Sequence, residues 1–301
     1  MNQPTIKRKL ITLNNSSFVV SLPKDWIHAN NFLKGEEILL ETKGNNILIK
    51  GKVDKEIISE IDLSSMKYDP IWRHLICAYR KGSSVVNVKY GTTENLQSIM
   101  KFIPDLMGWA IVKMDNENLV IKDISPVEDI DFGDTFKKVF LLIIDMSEDV
   151  YRGISTRNKK ALENITYSDY NINKFSNICL RILNLKGITS NTNSFYNIIS
   201  TLEEIGDEYR KLAVFFPPAN INNELLDIFR KVNDLLKLYY EIFYGFDSEK
   251  LKEFYEKADI LLADFNKFRG KTNGETNAYV TLFTILHMIK SLNEENLVIK
   301  I

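Results

Sequence analysis

The stretch Arg8-Lys9-Leu10-Ile11-Thr12-Leu13-Asn14-Asn15-Ser16-Ser17-Phe18-Val19-Val20-Ser21-Leu22-Pro23-Lys24-Asp25-Trp26 decides how the front of this chain folds. Ile6 to Leu13 reads as a strand of mixed basic and apolar residues. Asn14-Asn15-Ser16 carries turn chemistry, because short amide and hydroxyl side chains bond their own backbone. Phe18 to Leu22 is a β-branched-rich strand, ended by Pro23, which cannot donate to a ladder. The same proline suits the first turn of a short helix over Lys24 to Asn31. Further on, Lys34-Gly35 predicts a turn, and Glu37 to Thr42 with Ile47 to Lys50 predict a hairpin around Lys43-Gly44-Asn45-Asn46.

A piece of about 50 residues buries too little surface to be stable alone, so intertwining with a second copy is the natural solution. A two-fold dimer would also carry two identical surfaces, which suits a DNA duplex. Residues 1–50 hold Lys7, Arg8, Lys9, Lys24, Lys34, Lys43 and Lys50 against Asp25, Glu36, Glu37 and Glu41, a net charge of +3 per copy and +6 per dimer. The whole chain of 301 residues has 39 Lys and Arg against 40 Asp and Glu, a net of −1. Bulk charge therefore draws it to no polyanion, and any nucleic-acid affinity must come from a local patch.

Residues 53–126 predict a small α+β module. Asp69 to Lys81 is helical, with Pro70 in its first turn and Lys81-Gly82 closing it. Ser84 to Tyr90 reads as a strand, Thr93 to Met107 as a helix interrupted near Pro104, and Ala110 to Met114 with Leu119 to Ile124 as strands around Asp115-Asn116-Glu117-Asn118. It shows no Gly-rich phosphate loop and no catalytic signature. From about residue 134 the spacing predicts helices over 134–154, 167–186, 191–215, 222–244, 247–268 and 277–295. The clearest apolar face is Phe195, Ile198, Ile199, Leu202, Ile205, Tyr209 and Leu212. Breaks fall at Gly187, Pro217-Pro218, Gly245-Phe246-Asp247 and Gly270 to Gly274. Six antiparallel helices describe one bundle, or two three-helix units fused. The expected class is thus α+β, with domains at 1–52, 53–126 and 127–301.

Other residue types exclude whole classes. Cys77 and Cys179 are far apart and His28, His74 and His287 are scattered, which argues against a disulfide framework and against zinc; both thiols read as core residues. MNQPTIKRKL is followed by no apolar run, so no signal peptide is visible. The strongest apolar run, Val139 to Ile144, stops at Asp145, far short of the ~20 residues a membrane span needs, so a cytoplasmic protein without membrane insertion is expected. No Ser/His/Asp set and no activated cysteine is present, and enzymatic activity is not expected.

The opening stretch resembles the AbrB/MazE swapped-hairpin family, also described as SpoVT/AbrB-like, through Ser17, Val20, Leu22, Pro23 and Lys24, the short helix after them, and Lys34-Gly35-Glu36 at the turn before the third strand. The resemblance covers about 45 residues. It implies a dimer binding double-stranded DNA, with basic side chains and polar turn residues facing phosphates and groove edges; the contact candidates are Lys7, Arg8, Lys9, Asn14, Asn15, Ser16, Ser17 and Lys24. Trp26 and His28 read as structural, packing the short helix.

Leu202-Glu203-Glu204-Ile205-Gly206-Asp207-Glu208-Tyr209-Arg210-Lys211-Leu212-Ala213 resembles a helix of the PhoU family, and Asp169 to Phe175, running on to Leu180-Arg181, looks like that family's preceding helix. An AbrB-like head, a middle module and PhoU-like helices occur in this order in archaeal phosphate-uptake regulators. Glu203 and Asp207, four apart, share one helix face, and Asp169 from a neighbouring helix would complete an all-oxygen site for a hard divalent cation or iron. Asn173 departs from the acidic pattern, Glu256 and Asp259 are wrongly spaced, and Val298 stands four after Glu294, so a second cluster is not expected. The competing reading of Glu203 and Asp207 is a solvated face paired locally with Arg210 and Lys211. The resemblances together imply a DNA-binding transcriptional regulator of phosphate uptake or homeostasis, acting as a homodimer, with the helical bundle sensing a signal or partner. The alternative is an adaptor that contacts a phosphate ABC transporter or a sensor kinase without binding DNA.

Overall fold

The computed structural model describes residues 7–13, 17–29, 32–44, 46–50, 56–65, 71–125, 130–186, 191–215, 222–268 and 272–300. The turn expected at Asn14-Asn15-Ser16 and the breaks at Gly187, Pro217-Pro218 and Gly270 lie outside these residues. The chain is mixed α+β and divides into two compact units, Met1–Glu56 and Ile57–Ile301. The second contains both the sheet and the long helices that follow it.

In the first unit, β1 (Ile11–Leu13) pairs antiparallel with β2 (Ser17–Val19), placing Thr12 opposite Phe18. Both strands are shorter than the sequence suggests, because the ladder runs only from Leu13–Ser17 to Ile11–Val19. Helix α1 (Lys24–Ala29) follows, with Trp26 packed at 5.3 Å on Phe32 and His28 exposed in its last turn. Strands β3 (Leu39–Lys43) and β4 (Asn46–Lys50) form the second hairpin, with Leu40 opposite Ile49. Gly44 turns it at φ +55°, the left-handed region that favours glycine.

The second unit opens on β5 (Ile58–Asp62), a strand the sequence did not announce, followed by α2 (Ile71–Lys81), β6 (Val85–Lys89) and α3 (Thr93–Phe102). Pro104 breaks α3 into a 3-10 turn over Ile103–Asp105, and the β7 (Trp109–Met114) and β8 (Asn118–Asp123) hairpin completes a four-stranded sheet. Its order is β5-β6-β8-β7, with β5 parallel to β6 and the other pairings antiparallel. Val86, Val88, Leu119 and Ile121 line one face of this sheet and share a core with Leu75 and Tyr79 of α2 and Ile99 of α3. Gly82, at φ +93°, ends α2: its N–H donates to Tyr79 O and the next N–H, of Ser83, to Ala78 O, so the last turn's carbonyls are satisfied.

The rest of the unit is helical: α4 (Phe132–Ser155), α5 (Lys159–Glu163), α6 (Ile165–Lys186), α7 (Thr192–Phe215), α8 (Asn223–Tyr244), α9 (Ser248–Lys267) and α10 (Asn273–Lys300). The short α5 was not foreseen. Helix α10 begins four residues earlier than expected because Thr272 Oγ1 accepts from Glu275 N at 3.1 Å and caps it. On α7, Ile198, Ile199, Leu202, Ile205, Tyr209 and Leu212 are buried, as their spacing requires. They join a core in which Phe136, Phe140, Phe195 and Phe243 stack edge to face across α4, α7 and α8. Hydrogen bonds join polar groups across it, while Asn293 and Asn296 of α10 are wholly buried with no hydrogen-bond partner for their side-chain amides among the described residues. Tyr209 OH donates to Asn233 Oδ1 (2.9 Å) and Asn233 Nδ2 donates to Ser147 O (3.0 Å), so neither Tyr209 nor Asn233 is orphaned. No helix of the described residues is long and apolar enough to cross a membrane.

Candidate functional site

Lys7, Arg8 and Lys9 are exposed in the segment leading into β1. Ser17 opens β2 and Lys24 opens α1, both exposed, while Asn14, Asn15 and Ser16 lie outside the described residues. Around these donors the hairpins leave their apolar side chains in solvent: Phe18 is 71% exposed and Leu40 61%, with Ile11, Leu13, Leu39 and Ile47 alike. Neighbouring side chains on a strand point to opposite faces, so Ile11 and Leu13 occupy one face of the first hairpin and Phe18 the other. The unit thus offers apolar surface on both faces of its first hairpin and cations beside it.

The three carboxylates proposed from sequence as metal ligands are each met by a guanidinium. Glu203 of α7 accepts two hydrogen bonds from Arg80 Nη2 of α2, at 2.8 and 2.9 Å, and Arg80 Nε donates to Asn177 Oδ1 of α6 at 2.6 Å. Asp207 pairs with Arg210 at 3.3 Å, one helical turn on, and Arg210 Nε lies 3.2 Å from Asp169 Oδ2 of α6. Burial pushes the Asp169 carboxyl up to about 6, with Arg210 opposing and Asp207 adding to the rise. Burial likewise raises Glu203 above the usual carboxylate range, against the pull of Arg80. A hard cation needs several oxygens free to turn toward it, and here two guanidinium groups stand among the carboxylates. Among the described residues no group of three or more His, Cys, Asp or Glu is arranged to hold a metal ion. As placed, Asp169, Glu203 and Asp207 do not fit a divalent cation or iron. Nor is Glu203 part of a solvated face, since its partner is Arg80 rather than Arg210 or Lys211; Lys211 pairs with Glu208 instead.

The group that sequence reasoning missed is Arg181 of α6, 1% exposed. Its Nη1 donates to Tyr79 O (2.7 Å), and its Nη2 to Ser83 O (3.0 Å) and to Asp123 Oδ2 (2.6 Å). The guanidinium also lies over the Tyr79 ring at 4.7 Å. One side chain therefore caps the C-terminus of α2 and neutralises a buried carboxylate at the end of β8. The only signal in the sequence was a charge inside the apolar run Ile178-Cys179-Leu180-Arg181-Ile182-Leu183. Asn184 Nδ2, donating to Arg80 O at 2.6 Å, reinforces the same junction.

Cys179 is buried and its thiol is pushed up to about 12 by desolvation, which makes it inert. Cys77 corrects the expectation of two core thiols, because it stands on the exposed face of α2. Tyr239 is buried with its hydroxyl donating to Leu292 O, and the rings of Tyr240 and Tyr244 lie 5.0 Å apart, a packing arrangement rather than a ligand box. Comparison with protein-family models, with curated proteins and with solved structures finds no match to this chain.

Proposed function

We propose that this chain is a dimeric DNA-binding transcriptional regulator, whose first unit pairs with a second copy as an AbrB-like swapped hairpin and presents Lys7, Arg8, Lys9, Ser17 and Lys24 to the duplex. One observation carries the reading: the first unit leaves the apolar side chains of both hairpins in solvent, next to exposed cations. Burying a large apolar side chain is worth about 1.5–3 kcal/mol, and six from each copy come to on the order of 20 kcal/mol, against roughly 4–15 kcal/mol for losing the freedom of one partner. The helices of the second unit, read as PhoU-like from Leu202 to Ala213, receive the signal or the protein partner, and phosphate uptake is the pathway that resemblance suggests.

The test is fluorescence anisotropy on genomic DNA fragments at increasing salt. Each phosphate neutralised contributes a slope of roughly −0.9 in log affinity against log salt, so the four cations from each copy predict a slope of about −7. The double substitution Arg8→Ala with Lys9→Ala should flatten that slope and weaken binding to all sequences. A dimer that retains no fragment at ~50 mM salt would sink the DNA reading and favour an adaptor acting by protein contact.

A further inference from the structure

Strand β5 is an edge of the four-stranded sheet, and among the described residues no strand pairs with its outer side. Its inner side is fixed by two hydrogen bonds to the β6 side of the sheet: Ile57 O accepts from Ser84 N at 2.9 Å, and Leu63 N donates to Lys89 O at 2.8 Å. Backbone groups alternate along a strand, so residues 57, 59, 61 and 63 face β6, and Ile58, Glu60 and Asp62 turn their N–H and C=O outward. Beside this edge runs an open groove of about 350 Å³ between β5 and α2, lined among others by Ser59, Glu60 and Ile61 of β5 and by Arg73, Cys77 and Lys81 of α2.

The far wall of the groove is periodic. Arg73, Cys77 and Lys81 recur every four residues on one exposed face of α2, two cations with a small side chain between them. At about 1.5 Å rise per residue, the two cations stand about 12 Å apart along the helix. Two side chains on the same face of a strand, four residues apart, are separated by about 13 Å. A second copy of β5 is a poor occupant. Its antiparallel addition centred on Glu60 would set that carboxylate against itself and bring the two acidic rows together.

We propose that this groove docks an extended peptide segment of another protein, added as a strand to β5, with carboxylates at positions i and i+4 against Arg73 and Lys81 and a small residue at i+2 over Cys77. The intervening residues of the peptide face the side of the sheet that carries Glu60 and Asp62, where lysine or a neutral residue is accepted and an acidic one is not. Backbone pairing gives the affinity and the charge spacing gives the choice of partner.

The probe is a fluorescein-labelled peptide, Thr-Glu-Lys-Ala-Lys-Glu-Thr, titrated into the full chain and read by anisotropy. Saturable binding is expected, weakened about tenfold or more by Arg73→Glu with Lys81→Glu, and by about as much when both peptide glutamates become lysine. The reversed protein should then prefer the lysine peptide. Arg73 and Lys81 are exposed, so the variants keep their fold, and the peptide swap against the unaltered chain needs no variant at all. Absence of binding at ~1 mM peptide, or equal affinity for the glutamate and lysine peptides, overturns the proposal.

Discussion

The two units place their apolar residues in opposite ways. In the second unit Phe140, Ile205 and Tyr209 are wholly buried in a core shared by several helices, whereas in the first no described residue is fully buried and Phe18 is 71% exposed. The difference is not one of composition, since Ile11-Thr12-Leu13 and Phe18-Val19-Val20 are as apolar as many core strands. It is one of closure. A two-stranded hairpin has two faces and nothing within itself to cover either, and such hairpins are marginal in water until a further layer is added. The second unit supplies its own layers; the first leaves its hairpin faces uncovered, and in the proposed dimer its stability would depend on concentration.

The sharpest way to break this contrast is to remove what holds the second unit's layers together. Arg181→Met leaves Asp123 buried without its cation and frees two carbonyls, and should lower unfolding free energy by about 3–5 kcal/mol in urea titration. Adding Asp123→Leu should recover most of that loss, because an apolar pair of similar volume replaces a buried ion pair at little expense. A single variant within about 1 kcal/mol of the parent would show that the layers hold without this tie.

The first unit should respond differently. Phe18→Ser removes an apolar side chain from each copy of the proposed dimer, which should weaken by roughly 100-fold in sedimentation, about 3 kcal/mol. The melting transition of the second unit should stay within about 0.5 kcal/mol of the parent. A shifted melt with an intact dimer would reverse the assignment of roles.

The smallest expected effect is electrostatic. Asp169 is raised to about 6 by burial, so the folded chain holds that proton more tightly than the unfolded one. Its contribution is complete below the ordinary carboxylate value of 3.8 and is lost as pH rises through about 6. Between pH 7.5 and pH 5 the parent should therefore gain about 1 kcal/mol relative to Asp169→Asn. A gap that does not change over this interval would mean that Arg210 already holds the carboxylate ionised.

What could be read in advance follows the range of the forces involved. The apolar face of α7, the ending of α2 at Gly82 and the break at Pro104 are local, and each appears within a few residues of its expected place. Strand β5 escaped because Ile58-Ser59-Glu60-Ile61-Asp62 spaces its apolar residues three apart and lies at an edge, so it lacks the alternation that burial of one face imposes. Helix α5 has five residues, too few for a periodic signal. The pairing of Glu203 and Asp207 on one helix face was legible, but Arg80 is 123 residues from Glu203 and Arg181 is 58 from Asp123. No spacing rule reaches so far, and so the carboxylates suggested a cation when their partners were arginines.

The guanidinium of Arg181 also sets where this chain can be cut. A recombination event that removed residues 57–123 from the helices would strand a cation in the apolar run of α6, while one that exchanged the first unit would leave every donor and acceptor of that junction in place. The first unit takes no part in this junction, whereas the sheet and the helices behind it cannot be separated without breaking it.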